Sequence, residues 1–158
     1  ADESVQSIRA NKFIKTSKGE CRNLHDMVPF YFTTKTPTLY KVRADQWNFV
    51  FHVLPIEHLI DEDVEFAFSD GNAASGDTGV YFHQADVTNI PVDIISADYW
   101  GEYGKRSRNA ELLIFEHVPI ECIERVICIS DETQRWYSGK TRGRQYSGNV
   151  IVDAGSFF

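Results

Sequence analysis

The spacing of apolar and polar residues along the chain predicts a series of short β-strands. Residues 47–54 are apolar at nearly every position, which favours a strand buried on both faces. Residues 65–69 alternate between polar and apolar with a period of two, as a strand does. Further strands are predicted at residues 28–32, 110–115 and 125–130 and at Asn149–Val152.

Helical segments are fewer and shorter than the strands. Asn89 as a cap and Pro91 in the first turn predict where one helix begins. The predicted helical segments are residues 2–13, residues 92–97 and, as a single turn, residues 119–124. Because short strands outnumber helices, we expect an α+β fold with a largely antiparallel sheet and short helices.

Composition places the chain among globular proteins. Its 158 residues and hydrophobic fraction of 42% favour a single folded domain over residues 1–158 and argue against disorder. No apolar run approaches the roughly 18 residues that a transmembrane helix needs. The acidic start, from Ala1 to Ser4, does not resemble a signal peptide. We therefore expect a cytoplasmic protein that does not contact a membrane.

The residues that commonly bind metals are not arranged for it. Cys21, Cys122 and Cys128 show no ligand-like spacing, and the last two lie in apolar stretches typical of a core. His52 and His58 lack a third ligand at a useful spacing. We therefore predict neither a metal site nor a disulfide framework, as in a reducing compartment.

Charge is distributed unevenly along the chain. The net charge is −7, with five acids within residues 57–65, whereas residues 105–108 and 135–144 are basic with no acid among them. A local basic site on an acidic body suits transient capture of a short nucleic-acid strand better than wrapping of a duplex. The run at 135–144 mixes cations with aromatics, which fits strand binding and a solvated loop about equally.

Glu111 is the clearest candidate for chemistry. It stands at the start of a predicted strand, directly after the basic residues 105–108 and close to the aromatic pair Tyr99 and Trp100. A rigid strand end holds a catalytic carboxylate better than a loop tip does. An acid at the first position of a strand is also common on ordinary protein surfaces, so position alone leaves both interpretations open.

Several motifs occur together in one order along the chain. They are H-D-M-V-P-F-Y-F at 25–32, T-P-T-L-Y at 36–40, F-S-D-G-N-A at 68–73, A-D-Y-W at 97–100 and N-A-E-L-L-I-F at 109–115. In order and spacing they resemble the DarT family, DNA ADP-ribosyltransferase toxins of bacterial toxin–antitoxin pairs. The resemblance extends from about Arg9 to the last residue, and it implies an ADP-ribosyltransferase-like fold.

The resemblance also implies roles for individual residues. Glu111 matches the catalytic glutamate of the family, and Arg9 matches an arginine that lines the NAD⁺ and catalytic site. Tyr31 and Tyr40 match aromatic positions beside the cofactor. Asn72 stands where some members have a histidine, and its loop is expected at the cofactor. From the sequence alone, Arg9 could equally be a cation that satisfies carbonyls at the end of a helix.

The implied reaction is the transfer of ADP-ribose from NAD⁺, used as a substrate and without a metal, to a base in single-stranded DNA. Thymidine is favoured over guanosine as the acceptor. A base must leave its stack to react, which favours a single strand. Tyr99 and Trp100 would stack on bases, while Lys105, Arg106 and Arg108 would contact phosphates. The resemblance further implies a macrodomain antitoxin, similar to DarG, that removes the modification.

Two alternatives remain at this point. Members of the family begin with a strand whose Tyr-His pair contacts NAD⁺, and no such pair precedes Ala1. We therefore expect the sequence to lack the N-terminal segment of the domain, and a catalytically inactive module that binds nucleic acid or a partner protein is possible. The same carboxylate chemistry would also serve ADP-ribosylation of RNA or protein.

Overall fold

A computed structural model describes residues 3–16, 19–97, 99–101, 104–142 and 148–158, with side chains from residue 7 onward. Within this range the chain forms two compact units. The first comprises Ala1–Thr36 and Glu65–Val118, and the second comprises Pro37–Val64 and Pro119–Phe158. The segment 37–64 is thus inserted between two parts of the first unit.

The helices and strands are short and alternate along the chain. The helices are α1 (Glu3–Ala10), α2 (Pro37–Lys41), α3 (Ile56–Asp61), α4 (Val92–Ser96) and α5 (Asp131–Thr141). The strands are β1 (Phe13–Lys15), β2 (Cys21–Asn23), β3 (Met27–Tyr31), β4 (Val50–Val53), β5 (Phe66–Ser69), β6 (Val80–Tyr81), β7 (Glu111–Phe115), β8 (Arg125–Cys128) and β9 (Asn149–Val152).

The first unit is built on a four-stranded antiparallel sheet in the order β3-β7-β5-β6, with β1 and β2 forming a separate antiparallel pair. All five residues of β7 are buried, because the strand lies in the interior of the sheet. The core on one side of this sheet consists of Ile14, Leu24, Met27, Ala67, Ala73, Leu113 and Phe115. Its apolar packing fixes the position of the β7 end that carries Glu111.

The second unit contains a three-stranded sheet in the order β4-β8-β9. Strand β4 runs antiparallel to β8, whereas β9 runs parallel to it. Parallel neighbours require a crossover connection, and α5 lies in the chain between β8 and β9. Ile127, Ile129 and Phe157 form the core, against which Phe49 and Phe51 pack.

The α+β prediction with largely antiparallel sheets is confirmed, and most predicted strands are present. The prediction for residues 47–54 is wrong in its first half, because Arg43–Asn48 forms a 3₁₀ helix and the strand begins at Val50. Trp47 is 61% exposed. Strand β4 also lies at the edge of its sheet rather than in the interior, and His52 within it is exposed.

Helix predictions are confirmed at α1 and α4, but the predicted cap of α4 is wrong. Asn89 is not the cap of α4: it ends a 3₁₀ helix, Gln84–Asn89, and Pro91 takes the cap position. The basic run at 135–144 is not a loop over its first part, because residues up to Thr141 belong to α5. Residues 143–147 lie outside the described part of the chain.

Other expectations from composition have clear outcomes. Cys122 and Cys128 are buried as predicted, whereas Cys21 is exposed. Within the described ranges, no helix combines the length and the apolar character needed to cross a membrane.

Candidate active site

Glu111 occupies the first position of β7, where its neighbours on both sides fix the backbone. In the register of β3 and β7, Tyr31 is directly opposite Glu111, so the two side chains lie on the same face of the sheet. The Glu111 amide donates to Ser69 Oγ at 3.1 Å. The Ser69 hydroxyl in turn donates to the Gly71 carbonyl at 2.7 Å. The end of β7 is therefore tied to the end of β5.

The carboxylate of Glu111 is 2% exposed and has charged and polar partners. Arg9 Nη1 lies 3.3 Å from Glu111 Oε2, forming an ion pair that is nearly closed to solvent. Arg9 Nη2 also donates to the Leu24 carbonyl at 3.4 Å. The backbone N–H of Ala73 is close enough to the same carboxylate to lower its pKa. Arg9 thus contacts the candidate catalytic group, and its carbonyl partner, Leu24, lies outside α1.

The electrostatics of Glu111 reflect a competition between burial and these partners. Burial raises the pKa of Glu111, while Arg9, the Ala73 N–H and the charge of Lys12 lower it. Burial prevails, so the pKa lies above the usual 4.5 of a glutamate. A carboxylate with a raised pKa is a stronger proton acceptor when ionised, which suits general-base chemistry.

Asn72 lies in the loop that approaches Glu111. This loop, residues 70–79, connects β5 and β6 and is called the β5–β6 loop below. Asn72 Oδ1 accepts a hydrogen bond from the Ala74 amide at 2.9 Å, which closes a local turn. Asn72 is half-buried and directly precedes Ala73. The structure therefore brings Arg9, Tyr31, Asn72 and Glu111 together within the first unit.

Tyr40, the other predicted cofactor residue, belongs to the second unit. It lies on α2 and is 44% exposed. The guanidinium of Arg43 lies 3.9 Å from the centre of its ring, and the ring meets Phe158 edge-on at 5.2 Å.

The residues predicted to bind DNA fall into two groups. Tyr99 is 83% exposed and Lys105 is exposed, so both are open to a ligand. Arg108 is 3% exposed, and its guanidinium donates to the carbonyls of Ile94 and Lys35 at 3.1 and 2.9 Å. That guanidinium also lies 4.9 Å from the ring centre of Trp100. These contacts argue against a phosphate contact by Arg108.

Arg106 is exposed on one side but already paired. Its Nη2 donates to Asp70 Oδ1 at 2.7 Å and to the Asp77 carbonyl at 2.8 Å. Both partners belong to the β5–β6 loop. Among the predicted DNA-contacting cations, Lys105 is therefore the one most open to phosphate.

Three contributors to the site were not predicted from the sequence. Ser69 and the Ala73 amide act on Glu111 through the backbone, which leaves no signature in side-chain patterns. Lys12 follows α1, and its ammonium group donates to the Ser75 carbonyl. Burial lowers the pKa of Lys12, although the charges of Asp77 and Glu111 oppose that effect. In the described part of the chain, no group of His, Cys, Asp and Glu could hold a metal ion.

Solved structures of DarT proteins have the same fold and match all or nearly all of the chain. Thermus sp. 2.9 DarT in complex with ADP-ribosylated ssDNA has a TM-score of 0.90, covering 100% of this chain and 80% of that one at 18% identity. The same protein in complex with NAD⁺ has a TM-score of 0.85, covering 96% and 81% at 19% identity. Thermosipho africanus DarTG in complex with ADP-ribose has a TM-score of 0.81, covering 100% and 42% at 22% identity.

The sequence comparisons give the family. A family model described as "ssDNA thymidine ADP-ribosyltransferase, DarT" matches residues 1–158, so the chain belongs to the DarT family. A DNA ADP-ribosyl transferase of Mycobacterium tuberculosis (strain ATCC 25618 / H37Rv) is 31% identical over 144 residues, covering 82% of this chain and 62% of the relative. One from Escherichia coli O127:H6 is 30% identical over 148 residues, covering 85% and 68%. The chain thus spans about three-fifths of the mycobacterial relative's length.

Proposed function

We propose that this chain transfers ADP-ribose from NAD⁺ to a base of single-stranded DNA, with Glu111 as the catalytic carboxylate. The observation that carries the proposal is the buried ion pair between Glu111 and Arg9 at the end of the interior strand β7, in a chain of the DarT family. Tyr31 is opposite Glu111 in the sheet, and the Ala73 amide lowers the pKa of Glu111.

The reaction is a substitution at the anomeric carbon of the ribose attached to nicotinamide. The bond from C1′ to the nicotinamide nitrogen breaks, and nicotinamide leaves with the electron pair. The oxocarbenium-like ribose is then attacked by a ring nitrogen of the base, which loses its proton. Glu111, held ionised by Arg9, stabilises the developing positive charge and accepts that proton.

The same proposal assigns the surrounding residues. Tyr31 and Asn72 contact NAD⁺, and Tyr40 keeps the cofactor role that the family resemblance implies. Tyr99 and Trp100 offer ring faces on which bases stack, and Lys105 contacts a phosphate. The single strand is favoured because its bases present their edges without first leaving a duplex.

The acceptor base and the partner follow from the family. Thymidine is proposed as the acceptor, because the matching family is described by that activity. A macrodomain antitoxin that removes ADP-ribose from the DNA is proposed as the partner, which makes this chain the toxin of a pair. The fold similarity to Thermosipho africanus DarTG, solved with ADP-ribose, is consistent with that assignment.

Substitution of Glu111 tests the proposal directly. Glu111→Gln keeps the size and hydrogen-bonding capacity of the side chain but removes its charge and basicity. We expect incorporation of label from NAD⁺ into a thymidine-containing single-stranded oligonucleotide to fall about 10²–10⁴-fold in the full-length protein, the usual contribution of a general base. Circular dichroism of the variant should match that of the wild type. Labelling at the wild-type rate would remove Glu111 from the mechanism.

The acceptor is tested in parallel with the wild-type protein. Equal amounts of single-stranded DNA, RNA and denatured protein are incubated with labelled NAD⁺, and nicotinamide release is measured in each case. Labelling confined to DNA supports the proposal. Preferential labelling of RNA or protein would show that the acceptor is RNA or protein rather than DNA. DNA binding without any release of nicotinamide would instead identify an inactive binding module.

A further inference from the structure

The β5–β6 loop is in direct contact with the candidate catalytic group. The hydroxyl of Ser69 accepts from the Glu111 amide at 3.1 Å and donates to the carbonyl of Gly71 in this loop at 2.7 Å. The amide of Ala73, a residue that is 0% exposed, is close enough to the Glu111 carboxylate to lower its pKa. Ala73 also belongs to the hydrophobic core of the first unit. A small displacement of this loop would therefore weaken an interaction that favours the ionised form of Glu111.

Asp70 joins the two ends of this loop. Its Oδ1 accepts from the Gly79 amide at 3.0 Å, and its own amide donates to the Gly79 carbonyl at 3.3 Å. The hydroxyl of Tyr81, at the end of β6, donates to Asp70 Oδ2 at 3.4 Å. The loop is thus closed at its base by one carboxylate.

Arg106 holds the loop at two points from outside. Its Nη2 donates to Asp70 Oδ1 at the base of the loop and to the Asp77 carbonyl near its end, and its Nε lies 3.7 Å from Asp77 Oδ2. The aliphatic part of Arg106 packs against Gly71, where an added Cβ would lie 3.1 Å from Arg106 Cγ. A planar guanidinium with several donors can serve such separate acceptors at once, which a lysine ammonium does less well.

We propose that Arg106 is a positioning residue for the ADP-ribosyl transfer: by clamping the β5–β6 loop through Asp70 and Asp77, it keeps the Ala73 amide against the Glu111 carboxylate. The inference rests on the proposed role of Glu111. It assigns Arg106 to the loop rather than to a DNA phosphate, because its guanidinium is already paired with acidic side chains. On the other side of the loop, Lys12 holds the Ser75 carbonyl.

The test compares Arg106→Gln with Asp70→Asn in the full-length protein. Both substitutions remove the same ion pair, but only the first removes a positive charge that DNA could use. A positioning role predicts that kcat falls about 10–100-fold in both variants, as expected for a slightly misplaced catalytic group. The Kd for single-stranded DNA and its salt dependence should stay unchanged. Because both substitutions remove the same ion pair, the double variant should be slowed by less than the product of the two single effects.

A phosphate-binding role predicts a different result. Arg106→Gln would then raise the Kd for DNA and reduce the slope of log Kd against log salt by about one, while Asp70→Asn would leave kcat unaffected. That outcome would overturn the proposal. Arg106→Lys, which keeps the charge but not the geometry, should restore DNA binding fully in the phosphate case and kcat only in part in the positioning case.

Further variants guard against a general loss of structure. Arg22→Gln removes another bridging arginine of the first unit, paired with Glu20 and Glu116, and should leave kcat unchanged. Gly71→Ala leaves every charge in place but inserts a methyl group against Arg106 Cγ and Thr78 Oγ1, which lies 3.0 Å from the added Cβ. It should lower kcat without changing the Kd for DNA. Unchanged kcat in Gly71→Ala, Arg106→Gln and Asp70→Asn alike would refute the clamp.

A readout independent of activity separates this inference from the proposed function. The pKa of Glu111, followed by carbon NMR in the absence of NAD⁺, should rise in Arg106→Gln and Asp70→Asn and stay constant in Arg22→Gln. No change in the first two variants would show that the loop contact does not depend on Arg106. If Glu111→Gln proved fully active while these shifts occurred, the catalytic assignment would fail and the clamp would stand.

Discussion

Glu111 illustrates how opposing effects set the properties of one residue. Burial favours its neutral form, while Arg9, Lys12 and the Ala73 amide favour the ionised one, and the net effect is a raised pKa. These partners thus favour the ionised form of Glu111 against the effect of its burial. Loss of a partner should be visible first in the pH dependence of the reaction.

The raised pKa predicts the acid limb of the pH–rate profile. Glu111 must be ionised to accept a proton, so the rate should fall as the pH drops through a pKa above the 4.5 of an ordinary glutamate. Arg9→Gln removes a positive charge beside the carboxylate and should move this limb to still higher pH. The profile of kcat/KM for the DNA substrate measures both. A limb at or below the ordinary value would contradict the electrostatic description of the site.

The same shift has a defined sign for stability. A group whose folded-state pKa is raised contributes stability that is fully present below its unfolded pKa and is lost as the pH rises through the folded value. The free energy of unfolding of the wild type, measured relative to Glu111→Gln, should therefore fall over that interval. Urea denaturation of both proteins across the acidic pH range measures this difference in the free energy of unfolding.

At the level of single residues, chain spacing alone could not have paired Arg9 with Glu111, which are 102 positions apart. Resemblance to a family assigned both residues to one site, and their side chains lie 3.3 Å apart in the structure. Ser69 and Ala73 escaped prediction because they act through a short hydroxyl and a backbone amide. Arg108 was expected at a phosphate because local sequence shows its charge but does not reveal its burial.

At the level of elements, apolar patterns predicted strands better than helices. Strand β7 was predicted within one residue because every position from Glu111 to Phe115 lies in the sheet interior. The apolar run that begins at Trp47 led to a wrong strand prediction at its first residues. Trp47 lies on a 3₁₀ helix, and its side chain is largely exposed. Helix α5 was missed because its sequence lacks an apolar stripe. Its signal was the cap Ser130 followed by Asp131 and Glu132.

That cap provides a prediction for the second unit. Ser130 Oγ accepts a hydrogen bond from the Thr133 amide at 3.2 Å and so satisfies a donor at the start of α5. Ser130→Ala should lower the free energy of unfolding by about 0.5–2 kcal/mol. Ser138→Ala, the same change at an exposed position inside α5, should leave stability equal or slightly higher, since alanine favours a helix. Equal effects of both changes would argue that the cap is energetically unimportant.

At the scale of the whole molecule, the tryptophans are divided between the two units. Trp100 lies in the first unit, whereas Trp47 and Trp136 belong to the second, where they line a cavity of about 440 Å³. Tryptophan emission can therefore report separately on each unit.

This division allows base stacking to be located. In the variant Trp47→Phe with Trp136→Phe, Trp100 is the only remaining tryptophan, and saturating single-stranded DNA should change its emission as bases stack on the ring. Stacking on an aromatic side chain contributes about 1–3 kcal/mol per base, enough for a measurable change in Kd in Trp100→Ala. Trp100→Phe, made in the otherwise wild-type protein, should keep most of the affinity for single-stranded DNA. It should lose the DNA-dependent change in tryptophan emission that arises in the first unit. A DNA-dependent signal that persists in full in Trp100→Phe would move the stacking site to the second unit.

The pairing of Tyr31 with Glu111 in adjacent strands has a consequence for insertions and deletions in this chain. Side chains alternate between the faces of a sheet, so one residue added or removed within β7 would turn Glu111 away from Tyr31 and Arg9. An equal change in length in the segment before β7 could be absorbed by the connecting chain. Homologous sequences should therefore vary in length before the glutamate and keep a constant number of residues within its strand.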